Sequence, residues 1–327
     1  MKSFFSFIFG LGVLAAIIIG GAGFFAWREA ARPGPLADSA IILLEPGTSV
    51  AGIARKLETA GAIRHSKLFV AAVRAKDQTA ALKAGEYEIP AGASVFEIIA
   101  LLAEGKSILH TLTAPEGKTT KQILALIAAD ETLQGDITLS PAEGALLPET
   151  YAFTRGETRD KIVNDMMKAQ DEIVAALWET RAQGLPFSTP EEAIILASIV
   201  EKETGVASER TRVAAVFVNR LRRGMRLQSD PTIIYGLTQG EPLGRGLRQS
   251  ELERATPYNT YVIAGLPPTP IANPGRAAIE ATLNPAETDD LFFVADGSGG
   301  HAFAPTLEEH NRNVARWRQI ERQEQEG

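Results

Sequence analysis

The longest apolar run in the chain lies at its amino end. Phe4 to Trp27 holds 24 residues without a charge, and at about 1.5 Å rise per residue such a helix crosses a hydrocarbon core. The run exceeds the apolar segment of a cleaved signal peptide, and aromatic residues stand at both ends as an interfacial belt would. A transmembrane helix is therefore predicted over residues 4–27, with residues 1–3 on one side of the membrane. Lys2 flanks it on one side and Arg28 and Arg32 on the other, so charge does not fix its orientation. Residues 28–39, with two prolines, one glycine and little periodicity, read as a linker.

From residue 40 the pattern changes to short alternating and helical segments. Ala40–Leu44 reads as a strand, Val50–Leu57 and Lys67–Arg74 as helices, Glu86–Ile89 as a second strand and Val95–Leu102 as a third helix. A faint repeat runs through this region: Gly47, Gly92 and Gly117 each precede an isoleucine (Ile53, Ile98, Ile123) by six residues, with Ser or Thr between. Two readings stay open. Either turn-plus-cap chemistry simply recurs, or residues 40–110 form a small βααβ module of the glycan-binding LysM type.

Residues 111–327 read as a larger, mixed α+β domain. Ser140–Phe153 is turn-rich and offers Glu143, Glu149 and Tyr151. An amphipathic helix follows over Arg159–Arg181. Thr189, Pro190 and Glu192 then form a capping box with proline at the first helical position. The helix they open is apolar all round, as a core helix is, except that Glu201 shares a face with Ile194, Ala197 and Ser198. Burial there disfavours ionisation, and a carboxyl that keeps its proton near neutral pH suits a general acid. An internal salt bridge to a following arginine explains the same residue equally well. Glu203, about 160° further round the helix, is the local competitor, and only one of the two can face a given site.

Beyond it, Ala207–Arg223 reads as a helix ending at Gly224, with Arg220, Arg222, Arg223 and Arg226 as a solvated basic end or as ligands for substrate carboxylates. Leu227–Thr232 reads as a polar turn. Thr256–Tyr261 and Gly265–Gly275 form proline-rich loops whose tyrosines and asparagines suit sugar contacts or plain scaffold turns. Leu291–Ala295 and His301–Ala304 read as a hairpin, and Thr306–Glu324 as a polar terminal helix.

Composition removes several alternatives. A net charge of −7 argues against a nucleic-acid partner. Cysteine is absent, which excludes disulfides and thiolate chemistry. The four histidines, His65, His110, His301 and His310, show no metal-ligand spacing. The glycines at 297, 299 and 300 lack the Lys-Ser/Thr of a phosphate loop, and Ser198 lacks a nucleophile elbow. No metal and no cofactor are expected.

Ser198–Thr204 (SIVEKET), Val216–Leu221 (VFVNRL), Gly224–Thr232 (GMRLQSDPT) and Tyr258–Tyr261 (YNTY) together resemble the YceG-like family of endolytic murein transglycosylases. The likeness continues through Gly265–Pro268, Asn273–Gly275, Phe293–Gly297 and Gly300-His301, and includes the apolar amino end. One departure is Ala145 and Leu147, where many relatives carry aromatics.

The resemblance implies a single-pass inner-membrane protein with its amino terminus in the cytoplasm and a periplasmic catalytic domain. Its partners would be the membrane, peptidoglycan glycan strands and peptidoglycan synthases. It implies non-hydrolytic cutting of the MurNAc–GlcNAc bond within nascent strands, leaving 1,6-anhydroMurNAc ends and terminating polymerisation. By its place in the motif Glu201 would be the catalytic glutamate, and Gln228, Ser229, Asp230, Tyr258, Asn259, Glu149 and Tyr151 would bind substrate. A hydrolytic muramidase with a second carboxylate and a membrane-anchored glycan-binding division scaffold are the alternatives.

Overall fold

The computed structural model describes residues 2–326; the expectation for Met1 lies outside them. The chain divides into two compact units, Met1–Thr111 with Ala152–Glu157, and Leu112–Tyr151 with Thr158–Gly327.

The first unit begins with α1 (Lys2–Ala31), whose segment Phe9–Ala31 is long and apolar enough to cross a membrane. Phe9, Ile17, Ile19, Phe25 and Trp27 stand exposed along it. The helix runs four residues past Trp27, into the stretch expected to be a linker, and stops before Pro33, whose ring disfavours helical geometry at Arg32. Ala30 already belongs to the core of the unit. The rest of the expected linker is docked: the Gly34 N–H donates to the Gly92 carbonyl at 2.9 Å, and the Gly92 N–H to that of Leu36 at 3.0 Å. Only glycine permits this approach, because a Cβ at position 34 would lie 2.3 Å from the Ala93 oxygen.

Strand β1 (Ala40–Leu44), helices α2 (Val50–Thr59) and α3 (Ser66–Ala75) and strand β2 (Gly85–Ile89) follow in the order βααβ, with α4 (Val95–Glu104) after them. β1 and β2 pair antiparallel, Ala40 opposite Ile89 and Leu44 opposite Gly85. The period-two pattern turns Ile42, Leu44, Tyr87 and Ile89 inward onto Leu57, Phe69, Ile98 and Leu102. The glycine repeat has a local cause. Gly47, Gly92 and Gly117 each take positive φ (79°, 66° and 73°). Ser49, Ser94 and Thr119 then cap α2, α4 and α5 (Thr120–Ala129).

The second unit is organised around α7 (Pro190–Glu203). Its start is the expected capping box, and Ala193, Ile194 and Leu196–Val200 are all buried. Around it pack α6 (Arg159–Glu179), α8 (Arg210–Arg222), α9 (Asp230–Thr238) and α11 (Arg276–Leu283). Phe217, Val218, Leu227, Ile279 and Leu283 complete the core, and each such side chain contributes about 1.5–3 kcal/mol on burial. Ser198 has the packing role its sequence suggests: its hydroxyl donates to Ile195 O and accepts the Ile271 N–H. Strands β3 (Leu109–Thr113) and β4 (Thr150–Thr154) each belong in part to either unit, and α10 (Gln249–Glu253) is a short helix after α9. The expected hairpin is present as β5 (Phe292–Ala295) and β6 (His301–Ala304), antiparallel, with α12 (Leu307–Glu326) packed on it. The expected helix over Ala207–Arg223 begins as a 3-10 turn, Ala207–Glu209, and becomes α-helical only from Arg210. The expected turn at Leu227–Thr232 already contains the start of α9, with Pro231 in its first turn.

Candidate active site

The last turn of α7 presents two carboxyl groups to two different settings. The Glu201 Oε2 accepts the Gly275 N–H at 3.0 Å, and Gly275 is the N-cap of α11. A carboxylate at a helix N-terminus satisfies an orphan N–H and meets the positive end of the dipole. Glu116 crowds the same spot, since a Cβ on Gly275 would lie 1.8 Å from its Oε1. Burial pushes the Glu201 pKa up; the Gly275 N–H opposes this, the nearby Glu116 adds to it, and Arg210 and Lys202 oppose it. Lys202 itself turns away to the Gly117 carbonyl.

Glu203 is enclosed more deeply. Its Oε1 accepts the Ser229 hydroxyl at 2.5 Å. Burial first of all, then the negative charge of Asp230, lift its carboxyl to about 7, against the pull of the Ser229 hydroxyl, His301 and Arg220. Asp230 accepts the Tyr261 hydroxyl at 2.7 Å, and burial beside that carboxylate pushes the Tyr261 hydroxyl upward.

Around Glu203 the backbone is clamped. Buried Arg220 donates to Leu291 O and Leu227 O, both at 2.7 Å. Glu209 receives both the ring Nδ1 and the backbone N–H of His301. Arg222 and Arg226 also bond carbonyls, those of Gly184 and Tyr261, so the basic cluster serves the scaffold at these three positions.

The residues expected to bind substrate separate into two sets. Ser229 and Asp230 gather at Glu203, and not at Glu201. Gln228 precedes them, exposed, with its N–H on Thr260 O. Tyr258 is half-buried against Tyr235, ring centroids 5.1 Å apart, with its hydroxyl on Thr269. Asn259 is fully buried, and its amide nitrogen donates to the carbonyls of Glu251, Leu252 and Arg254. Tyr151 is likewise committed, its hydroxyl donating to Leu147 O. Glu149 is exposed beside it.

A hub lies at Glu143, a residue the sequence offered without its partners. Its carboxylate receives the Thr120 N–H at 2.7 Å, the Asn273 amide at 3.2 Å and the Tyr235 hydroxyl at 3.2 Å. Asn273 also accepts the Leu146 N–H and donates to Lys118 O. The turn bearing Gly275 is thereby fixed. The signal was the Asn-Pro-Gly triplet, in which the Asn273 partners Leu146 and Glu143 lie more than a hundred residues away in sequence.

These features define a mixed α+β domain that holds two carboxyl groups, both shifted toward their protonated forms, at the end of one buried helix. The chain belongs to the YceG-like family, whose pattern matches residues 42–316. An endolytic murein transglycosylase of Bacillus subtilis is 32% identical over 304 residues, covering 83% of this chain and 82% of its own length. One from Streptococcus pneumoniae is 32% identical over 321 residues and covers 82% of this chain. The chain spans only 56% of that relative's length. A crystal structure of a yceG-like protein from Listeria monocytogenes superposes with a TM-score of 0.51 at 31% identity, covering 84% of this chain and 99% of the other.

Proposed function

We propose that this chain is a lytic transglycosylase acting on peptidoglycan glycan strands, with Glu203 rather than Glu201 as its proton donor. The observation that carries the reading is the Glu203 carboxyl, enclosed against Ser229 and titrating at about 7. An acid in that range keeps its proton on about half the molecules near neutral pH and is still acidic enough to give it away. Glu201 shares the upward shift, but its carboxylate is bound to the N-terminus of α11. The names carried by the relatives supply the substrate class.

In this mechanism Glu203 protonates the glycosidic oxygen leaving with GlcNAc, and the MurNAc C1–O bond breaks. The muramyl 6-hydroxyl then bonds to C1 and returns its proton to the Glu203 carboxylate, so no water is consumed. An intramolecular hydroxyl at high effective molarity takes the place of the second carboxylate that hydrolases need. The helix Phe9–Ala31 anchors the chain in the inner membrane, amino terminus in the cytoplasm, with the rest periplasmic beside nascent strands and their synthases. The βααβ unit contributes glycan binding, and cleavage terminates strand growth.

Asp230, whose charge acts on Glu203, favours a second reading in which it activates water. Full-length protein on uncrosslinked glycan decides between the two by product mass. Anhydro ends are expected, and reducing ends one water heavier would establish the hydrolase. Equal cutting by wild type and Glu203→Gln would remove Glu203 from the chemistry.

A further inference from the structure

Two successive residues beside Glu203 break local backbone rules. Gln228 is a non-glycine residue at φ +51°, a left-handed conformation that costs about 1 kcal/mol or more and tends to gather at functional sites. Ser229 occupies the N-cap of α9, where a serine hydroxyl ordinarily accepts a helix N–H, yet it makes no capping bond. Its hydroxyl goes to Glu203 Oε1 instead.

A buried network holds it there. The Ser229 N–H donates to Thr260 Oγ1 at 2.9 Å, Thr232 Oγ1 donates to Ser229 O at 2.7 Å, and the two threonine hydroxyls lie 2.9 Å apart. Ser229, Thr232 and Thr260 are all at most 1% exposed. The Gln228 N–H is bonded to Thr260 O, so the left-handed turn is tied to the same residue. A cap forgone and a backbone penalty accepted at adjacent positions both serve a single contact.

Resting on the assignment of Glu203 as proton donor, we propose that Ser229 is a positioning residue: its hydroxyl occupies Oε1, leaves the transferable proton on Oε2, and strengthens as negative charge develops on the carboxylate. Ser229 thus acts on the acid rather than on the sugar. The other charged groups that act on Glu203 are Asp230 on α9, His301 on β6 and Arg220 on α8, with the Tyr261 hydroxyl held on Asp230. None of them replaces a donor at Oε1 among the described residues.

The test is the pH dependence of kcat and KM for full-length wild type, Ser229→Ala, Ser229→Thr and Glu203→Gln on uncrosslinked glycan. For Ser229→Ala, kcat is expected to fall about 10- to 100-fold, the loss of one charge-assisted hydrogen bond. KM should stay within about two-fold, and the alkaline half-activity point should rise by about one pH unit. Ser229→Thr is expected to restore both. An unchanged kcat and pH profile in Ser229→Ala, with Glu203→Gln inactive, overturns the role of Ser229. Activity in Glu203→Gln instead overturns the acid assignment itself. Should Ser229→Ala not fold, Thr260→Val carries the question. It removes the hydroxyl that holds the Ser229 N–H without touching Glu203, so a kcat reduced at least about three-fold with a raised alkaline half-activity point supports the role, and an unchanged kcat and pH profile overturn it.

Discussion

Glu201 and Glu203 sit two residues apart on one helix, yet they face different partners. Glu201 meets a backbone N–H at the end of α11, with Glu116 adding to the upward push of burial and Arg210 and Lys202 opposing it. Glu203 meets a side-chain hydroxyl and the charge of Asp230, with His301 and Arg220 opposing, and burial lifts its carboxyl to about 7. Burial raises both, so burial alone does not separate the two; the partner left to each oxygen does.

Exchanging each acid for its amide tests this contrast most strongly. Glu203→Gln should lower strand cleavage by about 10³-fold, within the range expected for removal of a general acid, with KM little changed in steady-state assays.

Stability against pH gives the next largest effect. The Glu203 carboxyl titrates at about 7 in the folded chain and near its ordinary 4.5 once unfolded. Between those values the folded state binds more protons, so stability falls as pH rises from about 4.5 to about 7 and then levels off. Removing that titration with Glu203→Gln should therefore stabilise the chain by up to about 3 kcal/mol at pH 8 and by almost nothing at pH 4, read from denaturant melts.

Gly275→Ala attacks the other side. The new methyl would enter the space of the Glu116 carboxyl, and unfolding titrations should show a loss of about 1–3 kcal/mol. Smallest is Glu201→Gln, whose side-chain oxygen still accepts the Gly275 N–H. A stability change under about 1 kcal/mol, in the direction of a gain at higher pH because burial raises Glu201 as well, and cleavage within about five-fold of wild type are expected. A thousand-fold loss there would reverse the contrast.

What was legible in the sequence was local. The capping box at Thr189, the three Gly-to-cap turns and the hairpin at residues 291–304 each depend on neighbours a few positions away. The length of α7 and its burial followed from its unbroken apolar pattern. Which carboxyl faced what did not follow, because Ser229 lies 26 residues from Glu203 and Gly275 lies 74 from Glu201. Periodicity places side chains around a helix axis but does not name what packs on each side. α11 escaped notice for a related reason: it is short, and its glycine N-cap carries no side-chain signal. The three carbonyl partners of Asn259 were likewise not readable from the pattern of its loop, which suited sugar contacts and plain scaffold turns alike.

The docking of residues 30–36 has a mechanical consequence. A helix that enters its own folded unit without a free joint behaves as a stem, not a leash. With α1 in a bilayer, tilting or turning that helix turns the βααβ unit with it, and the distance of this unit from the lipid is set by packing instead of chain entropy. Lengthening residues 32–36 would therefore change orientation before it changed reach.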